Sequence, residues 1–329
     1  MRVTRRAIAR LSLALLAGTR TAHAQRLAGL PRVGVLEGSA PSVFADRVQA
    51  LRQGLAELGY VDGQGVALDI RWAQGRLAEL PRLAAELVQW KADVIVAGTT
   101  VAALAARQTT TAVPIVFAVA ADPVGVGLVA SLSRPGGNAT GLTTANADIV
   151  PKRLELLQEI AGGKAARAAV LYAPSDPSNV IGWRNAQDSA RKLGLPLRGY
   201  TVNGADDYEA AFKAMAADRV DALMVAAGAL ADSHARRLAE LAARHRLPAM
   251  YGARGFVEAG GLVSYSANFS DNYRRAATYV HKILQGAAPG ELPVEQANRF
   301  ELAINLRTAR ALGLNVPTAF RLRADFVIE

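Results

Sequence analysis

Two short apolar runs most strongly limit what this chain can fold into. Asp93–Ala97 reads DVIVA and Pro114–Ala120 reads PIVFAVA, and small or polar residues follow each run. Both runs are too short for an ordinary helix and are rich in β-branched residues, which favours strands. Strands that are apolar on both faces are typical of parallel sheets covered on both sides. The sequence therefore predicts an α/β protein whose ligand site lies near the loops after these strands.

The alternation of strand and helix runs through two halves of the chain, which predicts two doubly wound, Rossmann-like α/β lobes. A breaker cluster, Pro135–Asn138, lies between the halves. We predict a helix after each strand, including one through Gly125–Ala130 and a continuous one over Ala231–His245. The predicted strands are Arg32–Leu36, Val66–Trp72, Asp93–Ala97, Pro114–Ala120, Ala168–Tyr172, Leu197–Val202, Ala222–Ala226, Pro248–Tyr251, a strand beginning at Gly260–Tyr265, and Phe300–Asn305.

Three predicted crossings between the lobes indicate a three-strand hinge. We place the N-terminal lobe at 32–143 plus 266–296 and the C-terminal lobe at 144–265 plus 297–329. A hinged pair of lobes is suited to closing on a ligand.

The N-terminus has the order of a secretory signal peptide over residues 1–24. A basic start precedes the apolar run Leu11–Ala17, and Ala22-His23-Ala24 precedes Gln25. Arg5-Arg6 fits a loose twin-arginine signal, so the export route stays open. We expect a periplasmic protein that begins near Gln25.

Composition argues against two other classes of protein. The formal charge is +10, but five arginines precede residue 25, and the rest of the chain has 33 basic against 28 acidic residues, a net charge of +5. No basic stripe interleaved with aromatics is present, so we expect no nucleic-acid partner. Cysteine is absent, which excludes disulfides, thiolate metal sites and an anchor on a lipid-modified N-terminal cysteine.

Motifs for catalysis are weak or missing. Gly125–Ala130 matches the G-x-G-x-x-A dinucleotide pattern, but Pro123 precedes it and the glycines fall within the predicted helix, which favours close helix packing over a cofactor loop. No phosphate-loop or hydrolase-elbow motif is present, and His234, His245 and His281 have no metal-ligand spacing. We predict no catalytic residue, no cofactor and no metal.

Polar residues after the predicted strands are the candidate binding residues. Hydroxyls, helix-start N–H groups and a carboxylate would together hold a zwitterion. Its amine would lie near Asp122 or Asp176, and its carboxylate near Thr99 and Thr100. The polar candidates are Ser39, Thr99, Thr100, Asp122, Ser175, Asp176, Ser178 and Asn179, and the candidates for an aromatic wall are Phe44, Tyr172, Trp183, Tyr251 and Tyr265.

Several blocks of sequence resemble one family, the solute-binding proteins of ABC importers linked to tryptophan or tyrosine uptake. The resemblance covers nearly the whole mature chain, and its blocks are Leu58–Gln64, Pro114–Ala118, Ala121–Gly125, Leu132–Gly141, Lys152–Leu157 and Phe300–Leu306. It implies a type I periplasmic-binding-protein fold, a ligand held between the lobes, and delivery to an ABC permease in the inner membrane. The resemblance does not transfer a particular substrate.

We therefore expect a non-enzymatic, monomeric solute-binding protein that closes on a small polar ligand, and we expect that ligand to be an amino acid. Two alternatives stay open at this point. One is a two-domain enzyme using a nucleotide cofactor, and the other is a ligand sensor of the same fold coupled to a signalling partner.

Overall fold

A computed structural model describes residues 29–144, 146–163 and 167–329, the side chains at 42–44 and 146–148 excepted. The predicted signal peptide at 1–24 lies outside these residues. No helix within the described ranges combines the length and the apolar character needed to cross a membrane.

The first sheet is wholly parallel, and six strands of the described chain form it in the order β2-β1-β3-β4-β5-β11. These strands are β1 Arg32–Glu37, β2 Ala67–Trp72, β3 Val94–Ala97, β4 Ile115–Ala120, β5 Ala139–Thr143 and β11 Glu295–Gln296. The middle strands β3 and β4 are buried along almost their whole length, as their apolar sequences predict. This sheet and its helices form the N-terminal lobe.

Four helices cover the first sheet: α1 Pro41–Glu57, α2 Leu80–Gln89, α3 Thr100–Thr109 and α10 Phe269–Leu284. Short 3₁₀ turns lie at Leu77–Glu79 and Pro289–Glu291. Helix α10 comes from a distant part of the chain, packs beside α1 and covers the apolar face that includes Val35 and Val96. The ion pair between Arg274 and Glu57, at 2.8 Å, joins the two helices at the surface.

The second sheet has seven strands over the part of the chain that is described, in the order β13-β12-β10-β9-β8-β6-β7. The strands are β6 Ala168–Tyr172, β7 Leu197–Thr201, β8 Ala222–Val225, β9 Ala249–Tyr251, β10 Val263–Ala267, β12 Phe300–Asn305 and β13 Phe326–Ile328. Only the β10–β12 pair is antiparallel among these. This sheet and its helices form the C-terminal lobe.

The helices of the C-terminal lobe are α4 Asn146–Ile160, α5 Pro177–Leu193, α6 Asp207–Ala217, α7 Ala229–Ser233, α8 Ala235–Arg244, α9 Arg254–Glu258, α11 Leu306–Ala311 and α12 Thr318–Leu322. The chain passes between the lobes from β5 to α4, from β10 to α10 and from β11 to β12.

The helix predicted after β4 is wrong. Residues 121–138 form turns instead, and Leu128 and Val129 from this segment are buried against the sheet. Two local features oppose a helix here. The Asp122 carboxylate accepts a hydrogen bond from the Gly125 N–H over 2.8 Å, which forms a turn, and Gly127 has a φ of +71°.

The predicted continuous helix over Ala231–His245 is also wrong, because it is broken into α7 and α8. His234 is the break, with a φ of −121° and a ψ of 25°, and its Nδ1 lies 2.9 Å from the Leu230 carbonyl oxygen. The break turns α7 away from α8 and toward the N-terminal lobe, where Ala229 is buried.

Candidate ligand-binding site

A cavity lies between the two lobes, at the carboxyl ends of β3, β4, β6 and β8. The space free of protein atoms, including the solvent in its open mouth, is about 740 Å³. We call it the interlobe cavity. Its lining residues are Arg47, Gly98, Thr99, Thr100, Val119, Ala121, Thr144, Val150, Arg153, Asp176, Ser178, Asn179, Gly182, Met224, Val225, Ala226, Ala227, Gly228, Asp232 and Phe269.

Thr99 and Thr100 form the wall from the N-terminal lobe at the end of β3. Thr99 is the N-cap of α3, and its hydroxyl oxygen accepts from the Ala102 N–H over 3.3 Å. The Thr100 hydroxyl oxygen accepts from the Ala121 N–H over 3.1 Å and so ties the end of β3 to the end of β4. Because each hydroxyl accepts from the backbone, its own hydrogen stays available to an acceptor in the cavity.

Asp176 and Asn179 form the wall from the C-terminal lobe after β6. Asp176 is the N-cap of α5, and its Oδ1 accepts from the Ser178 N–H over 2.9 Å and from the Ser178 hydroxyl over 2.6 Å. Asn179 joins two strand ends, because its Oδ1 accepts from the Ala173 N–H over 3.1 Å and its Nδ2 donates to the Ala227 carbonyl over 2.8 Å. Burial raises the pKa of Asp176, and the hydrogen bonds from Ser178 and Asn179 oppose this.

The cavity is also lined by three charged residues that were not predicted from the sequence: Arg47, Arg153 and Asp232. Each is less than a tenth exposed. The Arg47 guanidinium lies over the Phe269 ring, 4.4 Å from its centroid. The Arg153 Nε donates to the Tyr265 carbonyl oxygen over 2.7 Å, which joins α4 to β10.

Burial shifts the pKa of each of these three groups. It lowers the pKa of Arg153 to about 10, so this guanidinium group keeps its charge at neutral pH, and it also lowers the pKa of Arg47. Burial raises the pKa of Asp232 to about 6, although Arg47 and the Gly228 N–H favour the ionised form. Asp232 Oδ1 is fully buried and has no protein hydrogen-bond partner.

A third carboxyl group, that of Glu37, lies behind the cavity. Glu37 ends β1, is 1% exposed, and its Oε1 accepts from the Tyr273 hydroxyl over 2.6 Å. Burial raises the pKa of Glu37 to about 7, while the Tyr273 hydrogen bond and Arg47 lower it in part and Asp232 raises it further. The cluster of Glu37, Asp232 and Arg47 therefore interacts electrostatically across the two lobes.

Comparisons with known proteins agree with this two-lobed architecture. The family model described as ABC transporter substrate binding protein matches residues 35–328. The chain belongs to this family. It is accordingly a substrate-binding protein with the type I periplasmic-binding-protein fold, as the sequence resemblance implied.

Individual relatives are moderately similar in sequence. A tyrosine-binding protein of Clostridioides difficile is 27% identical over 269 residues, which cover 82% of this chain and 77% of that protein. A Streptococcus pneumoniae ABC domain in complex with L-Trp is 26% identical, covering 91% of this chain and 100% of that one, with a TM-score of 0.85. A conserved domain protein from Vibrio cholerae is 30% identical, covering 90% and 99%, with a TM-score of 0.84.

In this substrate-binding protein, Thr99, Thr100, Asp176 and Asn179 are the four residues of the predicted ligand-binding set that line the interlobe cavity, and Ser178 lines it beside them. Their common signal was a polar residue in the loop or helix start that follows a buried strand. Arg47, Arg153 and Asp232 lie inside helices, where the sequence pattern does not distinguish a cavity-facing charge from an exposed one.

The other predicted residues whose side chains are described lie away from the cavity lining. Ser39 is buried behind it, Asp122 caps the turn at Gly125, and Ser175 is exposed. Tyr251 is in the core of the C-terminal lobe, where its ring stacks on Phe256 at 4.8 Å between centroids.

The aromatic candidates Tyr172, Trp183 and Tyr265 and the histidines contact other groups of the protein, whereas the side chain of Phe44 lies outside the described part of the chain. Tyr265 stacks on Phe300, at 5.9 Å between centroids, and Tyr172 stacks on Trp183 at 5.6 Å. His281 Nδ1 lies 3.0 Å from the Tyr60 hydroxyl oxygen. Over the described ranges, no group of three or more His, Asp or Glu side chains is placed to hold a metal ion.

Proposed function

We propose that this substrate-binding protein holds an amino acid in the interlobe cavity. The observation that carries the proposal is the charge pattern of the lining, in which two buried arginines and two buried aspartates face one enclosed space. Because the lining carries buried charges of both signs, a ligand with one positive and one negative group is electrostatically complementary to it. The names of the tyrosine-binding relative and of the L-Trp complex support the same ligand class.

The ligand carboxylate would lie against the arginines and the start of α3. Arg47 and Arg153 supply guanidinium donors, and the hydroxyls of Thr99 and Thr100 supply neutral ones. The ammonium group would lie against Asp232, whose Oδ1 has no protein partner, with Asp176 close by. Asp122, an earlier candidate for the amine, does not line the cavity and is left out of this assignment.

Apart from Thr144, Ser178 and Asn179, the remaining lining is apolar or glycine, and its apolar part would take the ligand's side chain. Val119 and Phe269 contribute from the N-terminal lobe, and Val150 and Met224 from the C-terminal lobe. Because these residues belong to both lobes, the side chain is enclosed only when the lobes are together. Ligand contacts in the closed form would therefore shift the equilibrium toward closure.

A thermal-shift screen tests the ligand class. The panel contains the L-amino acids, their des-amino acids, their amides and NAD(P), with the chain from Gln25 onward as the protein. A ligand at 100 times its dissociation constant adds about 2.7 kcal/mol of stability, which is a shift of a few degrees in Tm. We expect a shift with an amino acid and none with its amide or des-amino acid. A shift with NAD(P) alone would overturn the proposal and favour a nucleotide-dependent enzyme.

We also propose that the protein is exported, acts as a monomer without catalysis, and delivers its ligand to an ABC permease. The lobes would span 32–143 plus 266–296 and 144–265 plus 297–329, joined by the three-strand hinge. Sequencing of the mature N-terminus tests export, with Gln25 expected as the first residue. ATP hydrolysis by the reconstituted transporter tests delivery, since only an importer component raises it in a ligand-dependent way. A signalling sensor would not.

A further inference from the structure

The two lobes make a direct contact beside the interlobe cavity. Helix α7 of the C-terminal lobe approaches the loops that follow β1 and β2 of the N-terminal lobe. Ala229, at the start of α7, is 1% exposed and belongs to the same hydrophobic cluster as Leu36 and Val101 of the N-terminal lobe. A residue of one lobe is thus part of the core of the other.

Two glycines form the N-terminal side of this contact, and we call them the glycine surface: Gly38 and Gly75. A Cβ atom on Gly38 would lie 2.6 Å from the Cβ of Ala229 and 2.9 Å from Oγ1 of Thr99. A Cβ atom on Gly75 would lie 3.1 Å from the Cβ of Ser233. The Gly75 N–H donates to the Gly38 carbonyl over 2.8 Å, so the two glycines are parts of one surface.

Helix α7 therefore has one face that contacts the N-terminal lobe and another that lines the interlobe cavity. Ala229 and Ser233 contact the glycine surface, while Asp232 of the same helix lines the interlobe cavity. The position of Asp232 relative to Arg47 thus depends on how closely α7 approaches the N-terminal lobe. Leu77, just after the glycine surface, extends the contact by lining a small apolar space with Tyr208 and Leu230 of the C-terminal lobe.

We propose that Gly38, Gly75 and Ala229 determine how far the lobes close, and so set the open–closed equilibrium of the protein independently of which ligand is bound. The absence of a side chain on the glycines lets α7 approach to the distance at which Asp232 enters the cavity. These residues touch the other lobe and do not line the interlobe cavity, so they are positioning residues.

The proposal makes a quantitative claim about ligand affinity. The apparent dissociation constant equals the intrinsic one divided by the fraction of protein in the closed form. A side chain that opposes closure therefore weakens every ligand by the same factor. A residue that contacts the ligand instead changes the order of affinities within a ligand series.

Gly38→Ala is the principal variant. It places a methyl group against Ala229, and the φ of Gly38 lies outside the left-handed region that disfavours side chains. Gly38→Ala combined with Ala229→Gly removes the opposing Cβ and should restore closure in large part, leaving the contact with Thr99. Gly204→Ala is the matched control, because a Cβ at Gly204 has no heavy atom within 4 Å. Ala229→Val makes the same clash from the C-terminal lobe and serves if Gly38→Ala does not fold.

The distance between the lobes is the first measurement. The chain has no cysteine, so Ala78→Cys and Glu240→Cys, both exposed and one in each lobe, give a unique pair of spin-label sites. We expect Gly38→Ala to move the distance distribution toward longer values, the double variant to bring it back, and Gly204→Ala to leave it unchanged. An unchanged distribution in Gly38→Ala and Ala229→Val would overturn the proposal. This measurement needs no ligand, so it tests the role of these residues in closure even if the protein does not bind amino acids.

Ligand affinity is the second measurement and rests on the proposed function. The probes are L-tyrosine, L-tryptophan and L-alanine, measured by calorimetry. We expect Gly38→Ala to weaken each probe that binds by one common factor of about 10 or more. A factor that differs clearly between probes would show direct ligand contact and contradict a role in closure alone.

Discussion

Tyr273 donates its hydroxyl hydrogen to Glu37 Oε1 over 2.6 Å, although 236 positions separate the two residues in the chain. The same hydroxyl lies 3.2 Å from the Gly98 carbonyl oxygen. The contact ties helix α10, which follows the second lobe crossing, to the first strand of the protein. It also places a buried carboxyl group directly behind the interlobe cavity.

Tyr273→Phe tests how much this hydrogen bond contributes to the free energy of unfolding. Both partners are buried, so the variant leaves Glu37 Oε1 without its donor, and we expect the free energy of unfolding to fall by about 1–3 kcal/mol. Urea denaturation measures the change. Tyr60→Phe is the control, since the Tyr60 hydroxyl pairs in a half-buried position with His281, which lies on the same helix as Tyr273. We expect a loss of less than about 1 kcal/mol there. Equal losses in the two variants would contradict the prediction.

Glu37 should make the stability of the fold depend on pH. Burial raises its folded-state pKa from 4.5 to about 7, so between these values the folded protein binds more protons than the unfolded chain. Stability contributed by the protonated carboxyl group is therefore lost as pH rises from 4.5 to 7. Asp232, with a folded-state pKa of about 6, adds an effect of the same sign between 3.8 and 6.

Glu37→Gln isolates this effect, because glutamine keeps an oxygen acceptor for Tyr273 and does not ionise. We expect the stability of the variant relative to the natural protein to increase by about 3 kcal/mol between pH 4.5 and pH 8. Urea denaturation at several pH values measures the difference. A difference that stays constant with pH would show that folding does not raise the pKa of Glu37.

The two-lobed α/β architecture could be predicted from the sequence because most of its strands are recognisable from their local sequence alone. The clearest cases are Val94–Ala97 and Ile115–Ala120, which are buried along almost their whole length. Short apolar segments of this kind are typical of strands in a parallel sheet covered on both sides. The polar residues after the strands followed from the same reasoning. Thr99 and Asp176 are both N-caps and line the cavity, because parallel strands end at one edge of the sheet.

The rest of the site could not be predicted because it depends on contacts between distant segments. Arg47 lies on α1 and Asp232 on α7, and their proximity depends on how the lobes meet. Helical periodicity identifies a polar face but does not specify what that face will contact. The missing helix after β4 has a more local cause, since the Asp122 turn and Gly127 direct the chain into turns that still bury Leu128.

Asp232 should make ligand affinity depend on pH. Its pKa in the unliganded cavity is about 6, and an ammonium group beside it would favour the ionised form. Binding below pH 7 should therefore release protons, and the dissociation constant should rise about tenfold between pH 7 and pH 5. Arg47, Arg153, Asp176 and Glu37 also face this carboxyl group and influence its titration.

Asp232→Asn separates this residue from its neighbours, because it keeps the shape of the side chain and removes the charge. We expect weaker binding at pH 7 and a flatter pH profile from pH 5 to 7, measured by calorimetry. The variant should also discriminate less between an amino acid and its des-amino acid. A variant with the natural protein's profile and discrimination would assign the ammonium group to Asp176 instead.

Arg153 should combine ligand binding with support of the hinge. Its Nε donates to the Tyr265 carbonyl in β10, the strand that leads to the second crossing, and its side chain lines the cavity. Arg153→Lys keeps the positive charge but loses the planar fork that binds a carboxylate through two parallel hydrogen bonds. We therefore expect the affinity for the amino acid to fall by about 10- to 100-fold, because hydrogen bonds to charged groups contribute about 1.5–3 kcal/mol each.

Lys152→Ala is the control for Arg153→Lys, since Lys152 is an exposed neighbour that pairs with Glu155 at 3.1 Å on the helix surface. We expect its affinity to match that of the natural protein. Two measurements distinguish the roles of Arg153. Loss of a ligand contact changes the dissociation constant and leaves the spin-label distance between the lobes unchanged. Loss of the Tyr265 contact changes that distance. If Arg153→Lys binds as tightly as the natural protein, the carboxylate is held by Arg47 and the start of α3, and Arg153 supports the hinge alone.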